Sequence, residues 1–330
     1  MRSSEAVEAL EQLWDLRAEK IRWVRSIFQV FTEREIYSLK VVSDKDSRIL
    51  FYDSVIRHVC DNGFKYLAPY IYTKDGNTIG YYGGERLILT KWIKGREIDY
   101  KNLDQVSKSA KVMGQFNRLS RGYTPPENVK IRDRRGKWLN KMTRKAGNVE
   151  QYIKIAKENQ NEFDKLFLDN SDWILEQSLL ADDMIHNSAY KKKIKEIQIC
   201  HGDPSKRNFL MDKEGQIYMI DFDSVRLDIV IADLWRFLRR ILKKDQWEME
   251  KIQHIIDGYT SEYPMDKDDY YILLTFLTYP QKTYHLVHKY YETRERNQKF
   301  EKKMLKKLNS AISQQERRCK FLNCYKKKFL

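Results

Sequence analysis

The chain has 330 residues, of which 62 are Lys or Arg and 47 are Asp or Glu, so its net charge is +15. This length is enough for two packed lobes with sizeable cores. No apolar run reaches the ~18 residues that a membrane helix needs, and the polar residues 1–12 predict no signal peptide. The four cysteines lack metal-ligand spacing and predict the reduced thiols of a protein made in the cytoplasm.

The first elements in chain order are three predicted strands, which alternate with period two and are rich in β-branched and aromatic residues. These segments are residues 20–24, 27–31 and 36–42. Lys40 lies on the third strand and shares a face with Ile36, Ser38 and Val42, an unusual place for a lysine without a function. The alternative is a solvent-facing lysine on an edge strand.

A helix is predicted from Ser47 to Gly63, where Asn62-Gly63 ends it. It carries Asp53 in its first half. The turn between the first two strands is Arg25-Ser26, and no glycine occurs before Gly63. The first hairpin therefore has no glycine-rich loop.

The next predicted strand begins at Leu87 and leads through Lys91-Trp92-Ile93 to Gly95, which permits the chain to turn. We place the lobe boundary there, with residues 1–93 as an N-lobe and residues 94–330 as a C-lobe. An amphipathic helix over residues 104–120 then follows.

The most informative motif begins at His201-Gly202-Asp203 and has the pattern H-x-D-x-x-x-x-N, which ends at Asn208. A hairpin with a Gly-containing turn is predicted directly after it, and this returns the chain so that Asp221 comes beside Asn208. This spacing is typical of phosphoryl transfer. One carboxylate, Asp203, can accept the proton of an attacking hydroxyl, while Asn208 and Asp221 can hold metal ions on nucleotide phosphates.

Three further polar residues surround this motif. Lys206 is placed to steady a transferring phosphoryl group, or it is a solvated loop lysine. Asp223 is a second metal ligand or a cap of the next segment. Asp233 opens an amphipathic helix, either as a structural carboxylate or as an ordinary acid of a first helical turn.

The motif pieces H-G-D…N, I-D-F-D and D-x-x-x-x-D-L resemble, in this order, those of the aminoglycoside phosphotransferases and choline kinases. Within that group, residues 18 to 300 look like the CotS family of bacterial endospore coat proteins. The segments that carry this second resemblance are Gly63-Phe64, Trp92–Arg96, Gly136–Trp138, His201–Asn208, Ile220–Asp223 and Tyr279-Pro280. The resemblance implies an α+β, two-lobed, protein-kinase-like fold of the aminoglycoside phosphotransferase type, with a small antiparallel β-sheet in the N-lobe and a mainly helical C-lobe.

The resemblance also implies roles for the catalytic residues. Asp203 matches the catalytic base, and Asn208 and Asp221 match the residues that bind Mg²⁺. Lys40 corresponds to the lysine that pairs with the α- and β-phosphates of ATP or another nucleoside triphosphate. Asp53 would orient Lys40. Kinases have a glutamate in this role, and its side chain is one methylene longer.

The edge of the adenine ring would contact the backbone of Lys91, Trp92 and Ile93.

The implied function is an ATP- and magnesium-dependent phosphotransferase that acts on a hydroxyl of a small molecule or coat component. The alternative is a catalytically weak or inactive kinase-fold protein that serves spore-coat structure or assembly. The missing glycine loop favours this alternative, whereas the intact base and metal ligands favour the enzyme. Either protein would be made in the mother-cell cytoplasm during sporulation and associate with the spore coat.

The C-terminal region, residues 289–330, carries fourteen Lys and Arg residues against four Glu. One interpretation is a docking helix for an acidic partner, such as another coat protein, or for a polyanion. The other is the solvated face of a terminal helix. No nucleic-acid motif accompanies the charge, so nucleic-acid binding is not predicted.

Overall fold

The structure is a computed structural model, and it describes residues 1–127, 129–159, 161–242 and 247–330. The chain forms two compact units. The first unit comprises Met1–Asp133, Ile197–Leu227 and Ile255–Tyr263. The second unit comprises Arg134–Glu196, Asp228–His254 and Pro264–Leu330. No helix in the described ranges is long and apolar enough to cross a membrane. The lobe boundary between residues 93 and 94 stays a prediction.

All named strands lie in the first unit. They are β1 (Lys20–Val24), β2 (Ile27–Phe31), β3 (Ile36–Val42), β4 (Tyr70–Ile71), β5 (Gly80–Tyr82), β6 (Glu85–Lys91), β7 (Arg96–Glu97), β8 (Ile199–Cys200), β9 (Phe209–Met211), β10 (Ile217–Met219) and β11 (Arg226–Leu227). The largest sheet is antiparallel, in the order β1-β2-β3-β6-β4, and β5 also pairs with β6. Smaller antiparallel sheets join β10-β9-β7 and β11-β8.

The helices in chain order are α1 (Ser3–Trp14), α2 (Asp46–Asp61), α3 (Leu103–Leu119), α4 (Lys137–Asn159), α5 (Glu162–Leu168), α6 (Ser171–Asn187), α7 (Tyr190–Lys193), α8 (Ile231–Leu242), α9 (Met249–Thr260), α10 (Lys267–Thr278), α11 (Gln281–Glu292), α12 (Gln298–Ile312) and α13 (Gln315–Phe329). Helices α1 to α3 belong to the first unit, and the second unit is helical. A small antiparallel sheet and many helices are what the sequence predicted.

The first three strands have the bounds expected from their period-two pattern. On β2 and β3 the buried side chains Phe28, Val30 and Leu39 face the same core, which α1 covers with Ala9 and Leu10. Because each strand presents alternate residues to one face, this apolar packing fixes the register of β2 against β3. It also holds Lys40 at a defined position on β3.

The turn between β1 and β2 consists of two residues, since Val24 pairs with Ile27. Arg25 has a φ of 58°, in the left-handed region that is uncommon for residues other than glycine. The turn is therefore tight. Its one long side chain is that of Arg25.

Candidate active site

The two segments of the motif meet at one end of the β9–β10 hairpin, and both belong to the first unit. The backbone N–H of Ile220 donates to the carbonyl oxygen of Asn208 at 3.0 Å. His201 is fully buried. Its Nε2 donates to the Ile220 carbonyl at 3.0 Å, and its Nδ1 accepts from the backbone N–H of Asp203 at 3.3 Å. His201 thus ties the catalytic loop, residues 201–208, to the metal loop, residues 220–224.

Arg226 holds the same two loops from the other side. Its guanidinium donates to the carbonyl oxygens of Gly202, at 2.6 Å, and Ser224, at 3.0 Å. Gly202 has a φ of +85°, and a Cβ there would overlap the Ser224 carbonyl and the Arg226 guanidinium. Glycine is required at this position for both reasons. The motif residue Gly202 is therefore part of the packing between the loops.

Within the catalytic loop, Asn208 is held against the residue predicted to be the base. Its Nδ2 donates to the backbone carbonyl of Asp203 at 2.9 Å and lies 3.3 Å from the Asp203 Oδ2. Asn208 is buried, and Asp203 is partly exposed. Because the amide nitrogen is used in this way, the oxygen Oδ1 is the atom of Asn208 left to act as a ligand.

Lys40 reaches the metal loop. Its Nζ lies 3.0 Å from Asp221 Oδ1 and 2.5 Å from Asp223 Oδ2. Burial lowers the pKa of Lys40, but the Asp223 and Asp221 charges outweigh it, so the net pKa lies above the ordinary value. The ammonium is held in its charged form between two carboxylates. This contact joins β3 to the loop that follows β10.

The predicted pairing of Asp53 with Lys40 is not formed in this structure. The Asp53 side chain is buried and accepts hydrogen bonds from Thr78 Oγ1 at 2.8 Å and Tyr72 Oη at 3.3 Å. Arg57 lies 3.3 Å away, one helical turn further along α2. Burial raises the pKa of Asp53, while these three partners offset part of the rise. Neutral hydroxyl donors and Arg57 satisfy Asp53, and Asp221 and Asp223 satisfy Lys40.

Lys206 is half-exposed and lies 3.5 Å from Glu97 Oε2. Glu97 also forms an ion pair with Arg25 from the β1–β2 turn. The hydrogen bond from Arg25 lowers the pKa of Glu97. This cluster has no signal in the sequence pattern, because Glu97 is brought to the catalytic loop by the two-residue pairing of β7 with β9.

Lys91, Trp92 and Ile93, whose backbone was predicted to meet the adenine edge, lie at and just after the end of β6, and Lys40 pairs with Ile88 of the same strand. Lys91 is opposite Tyr37, three residues before Lys40, which is about 10 Å along β3. The Lys91 side chain forms an ion pair with Glu35 at 2.9 Å, and the Trp92 backbone N–H donates to the Ile36 carbonyl at 2.8 Å. Trp92 and Ile93 are half-buried.

The acids that follow the metal loop, Asp228 and Asp233, belong to the second unit, and both are buried. Arg236 binds both carboxylates, Asp233 Oδ1 at 2.9 Å and Asp228 Oδ2 at 3.2 Å. The indole N–H of Trp138 donates to Asp228 Oδ2 at 3.3 Å. Burial raises the pKa of Asp228, and Arg236 offsets part of the rise. Asp233 is thus a structural carboxylate that orders the start of α8.

A loop carboxylate lies beside a carboxamide, and a lysine lies between two further carboxylates. The fold in which they lie is that of the kinase-like phosphotransferases. An aminoglycoside phosphotransferase from Alicyclobacillus acidocaldarius has a TM-score of 0.86, at 18% identity, over 100% of this chain and 96% of that one. The amicoumacin kinase hAmiN has a TM-score of 0.64, at 15% identity, over 96% and 94%. Spectinomycin phosphotransferase APH(9)-Ia has a TM-score of 0.60, at 19% identity, over 93% of each chain. The predicted fold class is confirmed.

The chain belongs to the family described as "Spore coat putative kinase YutH", whose profile matches residues 7–325. It is also 26% identical over 305 residues to spore coat protein S of Bacillus subtilis (strain 168), which covers 91% of this chain and 86% of that protein. The spore coat family predicted from the motifs is confirmed. The protein is a kinase-like member of a spore coat family.

Proposed function

We propose that this protein is an ATP- and magnesium-dependent phosphotransferase that acts on a hydroxyl of a small molecule or coat component. The observation that carries the proposal is the meeting of Lys40 with Asp221 and Asp223 beside the Asp203–Asn208 loop. These residues come from a sheet strand and two separate loops. A structural protein has no chemical need to bring this set together.

The side chains at this site are suited to a divalent cation that is also coordinated by the phosphates of a bound nucleotide. Magnesium is usually held by one or two carboxylates together with phosphate oxygens and water. Asp221 is half-exposed, and the Oδ1 of Asn208 is free of the bond to Asp203. In the described ranges, no group of three or more His, Cys, Asp or Glu could hold a metal on its own. A bound Mg²⁺ would neutralise phosphate charge and depend on the nucleotide for the rest of its ligands.

Lys40 would change partners when the nucleotide binds. In this structure its ammonium is neutralised by Asp221 and Asp223. The α- and β-phosphates of ATP offer stronger anionic acceptors, and the metal then needs the same Asp221 carboxylate. Nucleotide and metal binding are therefore coupled through Lys40.

Asp203 would accept the proton of the acceptor hydroxyl as that oxygen attacks the γ-phosphorus. The bond from the γ-phosphorus to the β–γ bridging oxygen breaks, and ADP leaves. The hydrogen bond from Asn208 and the bond from the Asp203 N–H to His201 hold the base in place. Positioning of this kind supplies much of the rate enhancement in phosphoryl transfer.

Side chains would serve in place of a glycine-rich loop over the phosphates. Arg25 extends from the tight first turn to Glu97, which also binds Lys206. Both cations are exposed enough to exchange Glu97 for a γ-phosphate oxygen. Because arginine presents a planar fork of donors, it suits a phosphate group.

The proposed cofactor and the proposed location are supported by the proteins to which this chain is similar. The structure of APH(9)-Ia contains ADP, and that of hAmiN contains AMP-PNP and Ca²⁺. These names support a nucleotide and a divalent cation, and Mg²⁺ is our proposal. Membership of the spore coat family supports a product of the mother cell that associates with the coat, where other coat proteins are its partners.

The test is ADP formation from MgATP, with water alone and with an extract of sporulating cells as the source of acceptor. Asp203→Asn removes the base but keeps the hydrogen-bonding shape, so we expect a rate loss of about 100-fold or more. Asp75→Asn, on an exposed turn of the same unit, is the matched control and should keep the full rate. Equal rates in the wild type and Asp203→Asn would contradict the proposal and leave a kinase-fold coat component.

A further inference from the structure

The second unit contains a cavity of about 760 Å³ that plays no part in the site described above. It lies among α6, α8, α10, α11, α12 and α13. Its volume falls within the range of about 300–1,000 Å³ that is usual for small-molecule sites. Aromatic side chains, among them Trp173, Trp235 and Trp247, form part of its wall.

The wall is strongly basic. Eight Lys and Arg residues line it, and six of them are Arg239, Lys289, Lys303, Lys306, Lys307 and Arg318. No described Asp or Glu lines the cavity, and none of these six forms an ion pair with a described carboxylate. Like charges gathered around one cavity repel each other, so this arrangement favours an anion inside it.

Arg318 is the most informative of the six, because it is only 5% exposed. Its Nη2 donates to the carbonyl oxygens of Leu277 and Thr278 at the end of α10. Its Nη1 has no hydrogen-bond partner in the described part of the chain, and the same holds for Arg239 Nε. Burial lowers the pKa of Arg318 to about 10. A buried guanidinium with an unused donor is costly unless an anion compensates it.

Aromatic rings lie beside the guanidinium groups of Arg318, which is buried, and of Arg239, which is partly buried. Arg318 lies 5.2 Å from the ring centre of Trp173 and 5.5 Å from that of Trp247. Arg239 lies 5.0 Å from that of Trp235. A guanidinium beside an aromatic ring keeps the planar fork of N–H donors with which it binds oxygen atoms. Phosphate oxygens match that geometry.

We propose that this cavity binds a small organic molecule that carries two or more phosphate groups. Each phosphate brings a charge of about −1.5 to −2 at neutral pH, so a few such groups balance six cations within a small volume. Carboxylates would need a larger ligand for the same charge. The basic C-terminal region is therefore one wall of a ligand site, since Lys303, Lys306, Lys307 and Arg318 all belong to it.

The test is calorimetric titration of the full chain with tripolyphosphate and with inositol hexakisphosphate, in EDTA and about 0.15 M salt, where surface charges are screened. The variant Lys303→Gln/Lys307→Gln removes two exposed lysines of the wall, so folding is not at risk. The matched control Lys299→Gln/Lys302→Gln removes two exposed lysines of the same helix that do not line the cavity. Lys40→Met reports on binding at the nucleotide site instead.

We expect saturable binding that weakens at least about tenfold in the wall variant, since each substitution removes a charge-assisted hydrogen bond to a phosphate group. The control variant and Lys40→Met should change the affinity less than about twofold. Equal weakening by both double variants would mean diffuse charge attraction and overturn the proposal. No binding at millimolar probe, or loss only in Lys40→Met, would also overturn it. Tighter binding of citrate or polyglutamate than of the phosphates would refute the assignment to phosphate chemistry.

Discussion

At the scale of single residues, Lys40 and Asp53 are satisfied by different partners. Lys40 contacts Asp221 and Asp223, whereas Asp53 accepts hydrogen bonds from Thr78 and Tyr72. The face of β3 pointed to Lys40, and the H-x-D-x-x-x-x-N spacing pointed to Asp203 and Asn208. The predicted partner of Lys40 was Asp53, because kinases have a glutamate on the corresponding helix that pairs with this lysine. Sequence spacing could not tell that Thr78 and Tyr72 would supply donors to Asp53, because both come from a loop region that the pattern leaves unspecified.

A buried lysine outside the active site gives a prediction of pH dependence. Lys145 on α4 is 5% exposed and donates to Gln281 Oε1 at 2.7 Å. Burial, together with Lys141, Arg239 and Arg144, lowers its pKa from 10.5 to about 6. Between pH 6 and pH 10.5, the Lys145 amine is therefore protonated in the unfolded chain and neutral in the folded chain. The free energy of unfolding should therefore rise with pH from about 6 to about 10.

Replacement of Lys145 by Met removes this proton linkage. We expect Lys145→Met to be more stable than the wild type at pH 6.5 by about 1–4 kcal/mol, with a gap that narrows as the pH rises. Denaturant unfolding at pH 6.5, 7.5 and 8.5 measures this. Lys154→Met, an exposed lysine on the same helix, should keep the wild-type pH dependence. The same pH slope in both variants would contradict the burial argument.

At the scale of elements, β1, β2 and β3 and the β9–β10 hairpin could be predicted because period-two patterns and turn residues specify them locally. The two-residue pairing of β7 with β9 could not be predicted, since strands this short carry no periodic signal. Yet this pairing brings Glu97 to Lys206 and Arg25. Short tertiary pairings thus determine the surroundings of a site whose main residues the motif already names.

The packing of the catalytic loop against the metal loop leads to a prediction on two glycines. Gly202 and Gly215 have φ values of +85° and +82°, so alanine is strained at either position by about 1–2 kcal/mol. At Gly215 nothing lies within 4 Å of an added Cβ, whereas at Gly202 the Cβ would overlap the Ser224 carbonyl and Arg226. Gly202→Ala should lose more stability than Gly215→Ala and should also weaken ATP binding.

Denaturant unfolding and ATP titration of the two alanine variants check this. Gly215→Ala is the control for backbone strain alone, and its ATP affinity should equal that of the wild type. A Gly202→Ala protein with unchanged ATP affinity would show that the spacing between the two loops does not matter for the nucleotide.

At the scale of the whole molecule, the candidate site residues all fall within the first unit, although they come from widely separated parts of the chain. The second unit carries the basic cavity. The order of the motifs predicted the spore coat family and the kinase-like fold, and both are confirmed. The division of the chain into compact units could not be predicted in this way, because it depends on which distant segments pack together.

The proposed function requires that Lys40, Asn208 and Asp221 form a metal-dependent nucleotide site. Calorimetric titration of the full chain with ATP, in the presence and absence of Mg²⁺, tests it most directly. We predict binding with a Kd below about 1 mM that requires Mg²⁺ and weakens at least about tenfold in Asp221→Ala, whereas Asp75→Ala binds like the wild type. No binding at millimolar ATP, or binding that is indifferent to both Mg²⁺ and Asp221→Ala, would show that these residues form no such site.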